Sequence, residues 1–179
     1  KCFGCGKGGG AINFVMELEN LSFRDAVAVL AKRAGMTMPE SFGGSPDAQK
    51  RREKMLELNR QAPLAFHRWL SEPEGAQGPD YLRRRGLSPG TLTRFGLGFA
   101  PDSWDALIQE MAKQGYDKRD LLDAGLAVSN KDGRIYDRFR NRVIFPIIAV
   151  RGGVIGFVGR AIGDATPKHR TSPDTPGYH

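Results

Sequence analysis

The sequence has little cysteine and histidine for its length, with two cysteines and three histidines among 179 residues. So few cysteines exclude a disulfide scaffold. No apolar run approaches the roughly 20 residues that a membrane-spanning helix needs, and no basic and apolar leader opens the chain. No paired carboxylates and no Ser/His/Asp or Cys/His arrangement stand out as a catalytic centre. We therefore expect no membrane partner, and a chain that binds a ligand rather than a complete catalyst.

Positive charge is the most evident property that the sequence does have. Lysine and arginine number 27 against 20 acidic residues, so the net charge is +7 and the isoelectric point about 9.7. Almost all of this excess lies in residues 81–179. A basic excess favours a polyanionic partner, most often nucleic acid. The same charge also fits a basic protein without such a partner. Hydrophobic residues at 40% and charged residues at 26% are typical of a folded chain.

We predict two regions joined by a linker. In residues 1–40, apolar residues recur at helical spacing and predict two helices, the second capped by Ser22. Residues 41–47 contain Ser-Phe-Gly-Gly-Ser-Pro, which is typical of a flexible connector. Residues 48–179 form the second region. Because the chain begins at Lys1 rather than at Met, we expect an interior segment of a longer protein.

The second region is predicted to form helices first and strands afterwards. A long helix is expected over about 47–70, with a kink or break at Pro63. Shorter helices are predicted from turn residues and caps at 81–86, from Pro89 after Ser88, at 104–114 after Ser103, and at 121–124 after Asp117. From residue 126, alternating apolar residues predict two hairpins with turns at 130–133 and 151–153, and Pro146 indicates an edge or a bulge. The fold class is therefore α+β.

Cys2 and Cys5 form a Cys-x-x-Cys motif at the start of the chain. Two thiolates at this spacing supply half of a tetrahedral zinc site. The histidines are far downstream and not paired in spacing, so the other two ligands would have to precede Lys1. A redox motif is the alternative, but such a motif opens a helix after a strand, whereas glycines follow here. We predict Cys2 and Cys5 as ligands of a zinc site that is incomplete in this segment.

Arg138, Arg140 and Arg142 lead into an apolar strand. If they are already extended, they share one face at intervals of about 7 Å, which is twice the rise per strand residue. A row of guanidinium groups suits phosphates, because each group can grip one in bidentate fashion. A solvated edge with Asp137 as ion-pair partner explains the same pattern equally well. Both interpretations stay open at this point.

Three further basic segments differ in how strongly their sequences indicate a binding role. Arg94 lies in a glycine- and proline-rich stretch that predicts a tight turn presenting its side chain. Residues 83–85 are three successive arginines, and we interpret them as a solvated helix face. Residues 159–173 form a basic, polar loop after a buried strand and include Arg160 and Lys168. Loops that a rigid sheet supports are common sites of binding residues.

Several motifs occur in a consistent order along the chain: Cys2-Phe3-Gly4-Cys5-Gly6, Gly9-x-Ala11-Ile12-x-Phe14, Glu19-Asn20-Leu21-Ser22-Phe23-x-x-Ala26-Val27, Tyr81-Leu82-x-x-Arg85-Gly86-Leu87-Ser88, Arg94-Phe95-Gly96-Leu97-Gly98-Phe99-Ala100-Pro101, Tyr136-Asp137-Arg138-Phe139-Arg140-x-Arg142-Val143-x-Phe145-Pro146-Ile147, Val154-Ile155-Gly156-Phe157-x-Gly159-Arg160 and Pro167-Lys168. By these motifs the chain resembles the bacterial DNA primases of the DnaG type over essentially its whole length. Ordered motifs at consistent spacing make the resemblance specific.

The resemblance implies a domain organisation. Residues 1–40 are similar to the C-terminal part of a CHC2-type zinc ribbon, in which Cys2 and Cys5 form the second ligand pair. Residues 41–47 correspond to the linker, and residues 48–179 to the mixed helix-and-sheet N-terminal subdomain of the RNA polymerase core. The TOPRIM subdomain, which carries the catalytic Glu and the Asp-x-Asp metal ligands, is missing here. We therefore expect this segment to be inactive by itself.

The resemblance also implies an activity, which is synthesis of short RNA primers from NTPs on single-stranded DNA, aided by Mg²⁺ or Mn²⁺. The residues that match the family's basic groove are Arg94, Arg160 and Lys168, with the Arg138, Arg140 and Arg142 row nearby. The family implies a replicative helicase as partner, through a C-terminal domain that is absent here, and a cytoplasmic location at the nucleoid. Thr171 departs from the Asn that the family usually has. The alternative is a non-catalytic zinc-ribbon module that binds single-stranded DNA in another DNA-handling protein.

Overall fold

The computed structural model describes residues 4, 6, 8–19, 21–37, 46–149 and 152–173. The chain divides into two units, one ending at Arg51 and the other beginning at Arg52. Residues 41–45 of the predicted linker lie outside the described residues, whereas residues 46 and 47 belong to a helix. No helix of the described part of the chain combines the length and the apolar character needed to cross a bilayer.

The first unit contains the two predicted helices, α1 (Ala11–Glu19) and α2 (Phe23–Arg33). Ser22 caps α2 as predicted, because its Oγ accepts a hydrogen bond of 3.2 Å from the backbone N–H of Asp25. Val15 of α1 and Ala26 of α2 are buried. An ion pair of 3.3 Å between Arg33 and Glu19 joins the ends of the two helices.

The helices of the second unit are mostly short. They are α3 (Pro46–Trp69), whose first six residues are assigned to the first unit, α4 (Gln77–Arg84), α5 (Pro89–Arg94), α6 (Ala106–Ala112) and α7 (Lys118–Asp123), with a 3₁₀ turn at Pro73–Gly75. Of the kink or break that the sequence predicted at Pro63, the break is absent, because α3 continues through this residue. Its buried residues Ala62 and Phe66 pack into the core on either side, and we attribute the continuity of the helix to this packing. Helix α4 begins four residues before the predicted start, at Gln77.

Some of these helices are capped by the residue that precedes them in the sequence, whereas α6 is capped by a residue far away in the sequence. Ser88 caps α5 and Asp117 caps α7 within their own sequence neighbourhoods, as predicted. Ser103 does not cap α6, because the helix begins at Ala106 and the carboxylate of Asp137 takes that role. Asp137 accepts hydrogen bonds from the backbone N–H groups of Leu107 at 2.7 Å and Ile108 at 3.1 Å.

The strands form two antiparallel sheets, and both predicted hairpins are present in them. The strands are β1 (Gly98–Ala100), β2 (Ala127–Ser129), β3 (Ile135–Asp137), β4 (Arg142–Ile148), β5 (Val154–Ala161) and β6 (His169–Thr171). β2 pairs with β3, and the larger sheet has the order β1-β4-β5-β6. Pro146 lies beyond the three residues of β4 that pair with β1, next to a register shift at Ile147/Ile148. Its missing N–H therefore interrupts no pairing with β1, in line with the predicted edge or bulge.

The larger sheet is covered by helices on both faces. Residues opposite each other in antiparallel strands point to the same face, so the row Phe99, Val143, Arg160 and His169 shares one face. On that face Phe99 and Val143 pack with Leu82 of α4. The opposite face carries Ile144 and Phe157, which pack with Phe66 of α3. We call these the α4 face and the α3 face.

Candidate nucleic-acid interface

The predicted row of arginines is not one extended strand. Strand β3 ends at Asp137 and β4 begins at Arg142, and residues 138–141 between them pair with no strand. Asn141 has a φ of 47°, in the left-handed region, and therefore redirects the chain. The expectation that the three arginines share one strand face is wrong for this reason. Each arginine instead has its own surroundings.

Arg142 is a buried cation with only 5% of its surface exposed. Its Nη1 donates hydrogen bonds to the carbonyl oxygens of Gly159 at 3.3 Å and of Lys168 at 3.2 Å. Burial lowers the pKa of Arg142, and the charges of Arg170 and Arg140 lower it further. The side chain therefore joins β4, β5 and the segment before β6 from inside the protein.

Arg140 stacks on aromatic rings at the surface. Its Cζ lies 3.8 Å from the ring centroid of Trp104 and 5.0 Å from that of Tyr136. Its Nη1 also donates to the backbone oxygen of Asp137 at 3.1 Å, whereas the Asp137 carboxylate faces α6 and forms no ion pair with it. Trp104 is 63% exposed, which leaves aromatic surface open beside a guanidinium. Sequence reasoning missed Trp104 as a binding residue, because it placed this residue only at the start of the predicted helix over 104–114.

Arg138 lies against Arg170 of strand β6. The Nη1 of Arg170 donates a 3.0 Å hydrogen bond to the backbone oxygen of Arg138. The Nε of Arg138 is buried without a hydrogen-bond partner. Burial lowers the pKa of Arg138, and the charge of Arg170 adds to this effect. Sequence reasoning placed Arg170 in a basic loop but did not select it.

We call Arg138, Arg140, Arg142 and Arg170 the arginine cluster. Within the described ranges, no carboxylate forms an ion pair with any of the four. Four cations close to one another, without a carboxylate paired to any of them in the described ranges, create a positive region. Such a region attracts phosphate groups, and the exposed ring of Trp104 beside it can stack on a base.

Arg160 lies on the α4 face, away from the cluster. Its register partners on β4 and β6 are Val143 and His169. The Nε of Arg160 donates a 2.8 Å hydrogen bond to the hydroxyl of Tyr81, and its Nη1 lies 3.3 Å from Nε2 of His169. Arg142 and Arg170 occupy register positions that point to the α3 face. The sheet therefore separates the basic residues that the sequence grouped together.

Arg94 and Lys168 are both exposed. Arg94 ends α5, with its Cζ 5.8 Å from the ring centroid of Phe95. The Nζ of Lys168 donates to the carbonyl oxygen of Gly163 at 2.8 Å and lies 3.6 Å from the Asp164 carboxylate. Both cations are accessible to a ligand.

Cys2 and Cys5 lie outside the described residues, so their role as metal ligands stays a prediction. As a donor set, two thiolates fit zinc but supply only half of the usual four ligands. In the part of the chain that the structure describes, no three His, Cys, Asp or Glu side chains come together as a metal site.

The fold and these residues together define a class: a mixed α+β domain with concentrated positive charge around a small antiparallel sheet. Residues 65–179 match the family model for the N-terminal domain of the DNA primase catalytic core, and residues 1–44 match the CHC2 zinc finger. The chain therefore belongs to the DNA primase catalytic core family, and the second match indicates zinc.

Curated relatives and solved structures agree with this assignment. The DNA primase of Halalkalibacterium halodurans is 42% identical over 177 residues, which are 98% of this chain and 30% of the relative. The DNA primase of Escherichia coli K12 is 39% identical, over 99% of this chain and 31% of the relative. A DnaG primase catalytic domain bound to ssDNA matches 73% of this chain and 42% of its own, at 40% identity and a TM-score of 0.68. The Aquifex aeolicus primase, with zinc-binding and RNA polymerase domains, matches 100% of this chain and 42% of its own, at 34% identity and a TM-score of 0.61. The chain spans about a third of the length of the curated relatives it matches.

Proposed function

We propose that this chain is part of a bacterial DNA primase, and that it holds the single-stranded template and the phosphates of incoming NTPs while short RNA primers are made. Family membership and the similarity of about 40% to DNA primases support this proposal. One solved relative of the same fold is a primase domain bound to ssDNA. A match to the catalytic core over residues 65–179 favours a primase over a non-catalytic zinc-ribbon module.

The arginine cluster beside Trp104 is the observation that carries the proposal. Single-stranded DNA binds where cations follow its phosphates and aromatic rings stack on its bases. Arg140 and Trp104 offer both contacts within 3.8 Å of each other. Arg138 and Arg170 extend the positive charge, and the buried Arg142 holds the backbone beneath them. We therefore assign the template strand to this cluster.

We assign the phosphates of incoming NTPs to Arg94, Arg160 and Lys168. Arg94 and Lys168 are exposed and Arg160 is partly exposed, and none belongs to the arginine cluster. Arginine and lysine are the side chains that usually bind nucleotide phosphates. In the whole protein, Cys2 and Cys5 supply half of a zinc site, as the CHC2 match suggests. Because the curated relatives are about three times as long, we place the Mg²⁺ or Mn²⁺ ligands, the catalytic residues and the helicase contact outside this segment.

Titration of the chain with a fluorescent single-stranded oligothymidylate at two salt concentrations tests the proposal. We expect binding that weakens as salt rises, since phosphate contacts release counterions. Arg140→Ala should lower the affinity several-fold and reduce the salt dependence by about one counterion. Trp104→Ala should lower the affinity by a comparable factor without changing the salt dependence, because stacking is not ionic.

Lys118→Ala provides the matched control, since Lys118 is an exposed cation at the start of α7, away from the arginine cluster in the sequence. The control should bind DNA as the unmodified chain does. Salt-independent binding, or an equal loss in Lys118→Ala and Arg140→Ala, contradicts the proposed site. In the whole protein, at the nucleoid in the cytoplasm where we place it, Arg160→Ala and Lys168→Ala should lower primer synthesis while folding stays intact.

A further inference from the structure

A tyrosine lies between two arginines that come from different elements. Tyr81 belongs to α4, and its hydroxyl accepts the 2.8 Å hydrogen bond from Nε of Arg160 on β5. Arg85, the C-cap residue of α4, places its Cζ 5.4 Å from the ring centroid of Tyr81. Tyr81 also packs against the buried residues of the α4 face. The ring is therefore held in place, and two guanidinium groups meet around it.

We propose that Tyr81 and Arg85 belong to the same phosphate-binding site as Arg160. Tyr81 is a positioning residue that orients the Arg160 guanidinium, and Arg85 is a second cation that contacts the same phosphate. This inference rests on the proposed function for the supply of a phosphate ligand. It goes beyond that function because it assigns roles to Tyr81 and to Arg85. Arg85 belongs to the run of three arginines that we interpreted from the sequence as a solvated helix face.

The hydrogen bonds of Arg160 leave part of its guanidinium open. An arginine side chain has five N–H donors in a planar fork. Tyr81 accepts from Nε, and His169 lies next to Nη1, so the two N–H groups of Nη2 have no partner among the described residues. A bond at Nε fixes the plane of the fork and lowers the entropy lost when a ligand binds. Tyr81 thereby prepares Arg160 to bind an anion.

The charges around Tyr81 are not balanced by carboxylates. Across the described ranges, neither Arg85 nor Arg160 forms an ion pair. Burial raises the pKa of Tyr81, but the hydrogen bonds and charges of Arg160 and Arg85 outweigh this effect and lower it. Two cations close to one phenol repel each other in the absence of an anion. A phosphate between them removes this repulsion.

Arg85 differs from its two neighbours in the run of arginines. Arg83 forms an ion pair of 3.2 Å with Asp80 on the same helix. Arg84 is exposed and makes no contact with the Tyr81 ring. All three cations lie at the C-terminal end of α4, where they interact favourably with the helix dipole. Arg84 therefore serves as a control for the dipole effect. Of the three arginines, Arg85 is the one that lies at the helix end and also contacts the Tyr81 ring.

The phosphate could belong to a nucleoside triphosphate or to the DNA backbone, so the test uses ATP and an oligothymidylate as separate probes. Titrations would compare the unmodified chain with Tyr81→Phe, Arg85→Ala, Arg160→Ala, the double variant Tyr81→Phe/Arg160→Ala, and the control Arg84→Ala. Thermal unfolding of each variant checks the fold. Tyr81→Phe keeps the packed ring and removes only the hydroxyl.

We expect Tyr81→Phe to weaken binding of one probe by about three- to tenfold, the effect of one lost hydrogen bond. Arg85→Ala should weaken it by about fivefold and lower the salt dependence by about one counterion, whereas Arg84→Ala should not. In the Arg160→Ala background, Tyr81→Phe should have no further effect, because Tyr81 acts through Arg160. If Tyr81 only stabilised the fold, the losses of affinity caused by Tyr81→Phe and by Arg160→Ala would add in the double variant.

The outcomes separate this inference from the proposed function. A loss confined to ATP assigns the site to NTP phosphates, and a loss confined to oligothymidylate assigns it to the template backbone. If the unmodified chain binds a probe but Tyr81→Phe and Arg85→Ala bind equally well, this inference is overturned and the proposed function stands. If Arg84→Ala loses as much as Arg85→Ala, the role of Arg85 is overturned. A chain that binds neither probe overturns both proposals.

Discussion

Asp137 shows at the scale of one residue how a side chain acquires its role from distant partners. The sequence placed it beside three arginines as their possible ion-pair partner. In the structure Asp137 is 2% exposed, and its carboxylate accepts two hydrogen bonds from the start of α6, 30 and 29 residues away. Burial raises its pKa to about 7, although the bonds from Leu107 and Ile108 lower it. The cost of removing the charge from water exceeds the gain from two backbone donors.

This balance predicts a pH dependence of stability. The pKa of Asp137 is raised in the folded state from 3.8 to about 7, so the folded chain binds the proton more tightly than the unfolded chain. The contribution of this group to the free energy of unfolding is therefore fully present below about pH 4 and is lost as pH rises to about 7. The loss is on the order of 4 kcal/mol. Asp137→Asn should be less stable than the unmodified chain at low pH, because the amide nitrogen of Asn cannot accept a hydrogen bond from the start of α6. The variant should also lack the part of the pH dependence of stability that comes from Asp137.

Urea unfolding at pH 5 and pH 8 checks this prediction in both proteins. Other groups titrate in the same range, so the difference between the unmodified chain and Asp137→Asn isolates Asp137. The unmodified chain should lose more stability than the variant between the two pH values. Parallel losses in both proteins would show that Asp137 is not the group responsible.

At the scale of elements, glycines in the strands allow the two layers to approach. A Cβ on Gly98 would lie 2.4 Å from Cβ of Phe66 on α3, and a Cβ on Gly159 would lie 2.6 Å from Cδ1 of Phe139. Real Cβ atoms do not come this close to other heavy atoms, because interiors are already packed at crystal density. The Gly159 side of β5 therefore has room only for Phe139 and for the Arg142 side chain.

Gly159→Ala should destabilise the chain by about 1–3 kcal/mol, because Phe139 is buried and cannot move aside freely. Gly153→Ala is the matched control in the same hairpin, since a Cβ there meets nothing within 4 Å. The control should be within about 1 kcal/mol of the unmodified chain. Denaturant midpoints measure both changes, and equal effects of the two substitutions would contradict the packing argument.

At the scale of the whole molecule, the core of the second unit is built from residues of that unit. Its two apolar groups include Met55 and Leu58 of α3, and Val143 and Phe157 of the sheet. None of these residues belongs to the part that matches the zinc finger, residues 1–44. The stability of the second unit should therefore be independent of any metal bound to Cys2 and Cys5.

Hydrogen exchange with and without a chelator tests this independence. Amides of β4 and β5 should be among the most protected of the chain, because these strands are paired and carry the core. Addition of EDTA should leave their protection unchanged, while amides of α1 and α2 lose protection if zinc is present. A general loss of protection in β4 and β5 on chelation would contradict an independent core.

The sequence by itself determined the features that depend on nearby residues. Ser22, Ser88 and Asp117 cap helices within three residues of themselves, and the turn at 130–133 closes the hairpin of β2 and β3. The motifs also led to the correct family, since they are read in order along the chain. These features follow from local backbone chemistry, which the sequence states directly.

Only the tertiary structure decided where the basic residues lie. The pairing of β4 with β5 and of β5 with β6 places Arg160 on the α4 face and Arg142 and Arg170 on the other. Asn141 has its φ in the left-handed region and so interrupts the predicted row of arginines. Arg142 is buried, and its side chain joins backbone segments inside the protein. Side chains alternate between sheet faces with a period of two, so strand register and not charge pattern assigns Arg142, Arg160 and Arg170 to their faces. For this reason the sequence showed that the chain is basic, and the fold showed on which sheet face Arg142, Arg160 and Arg170 each lie.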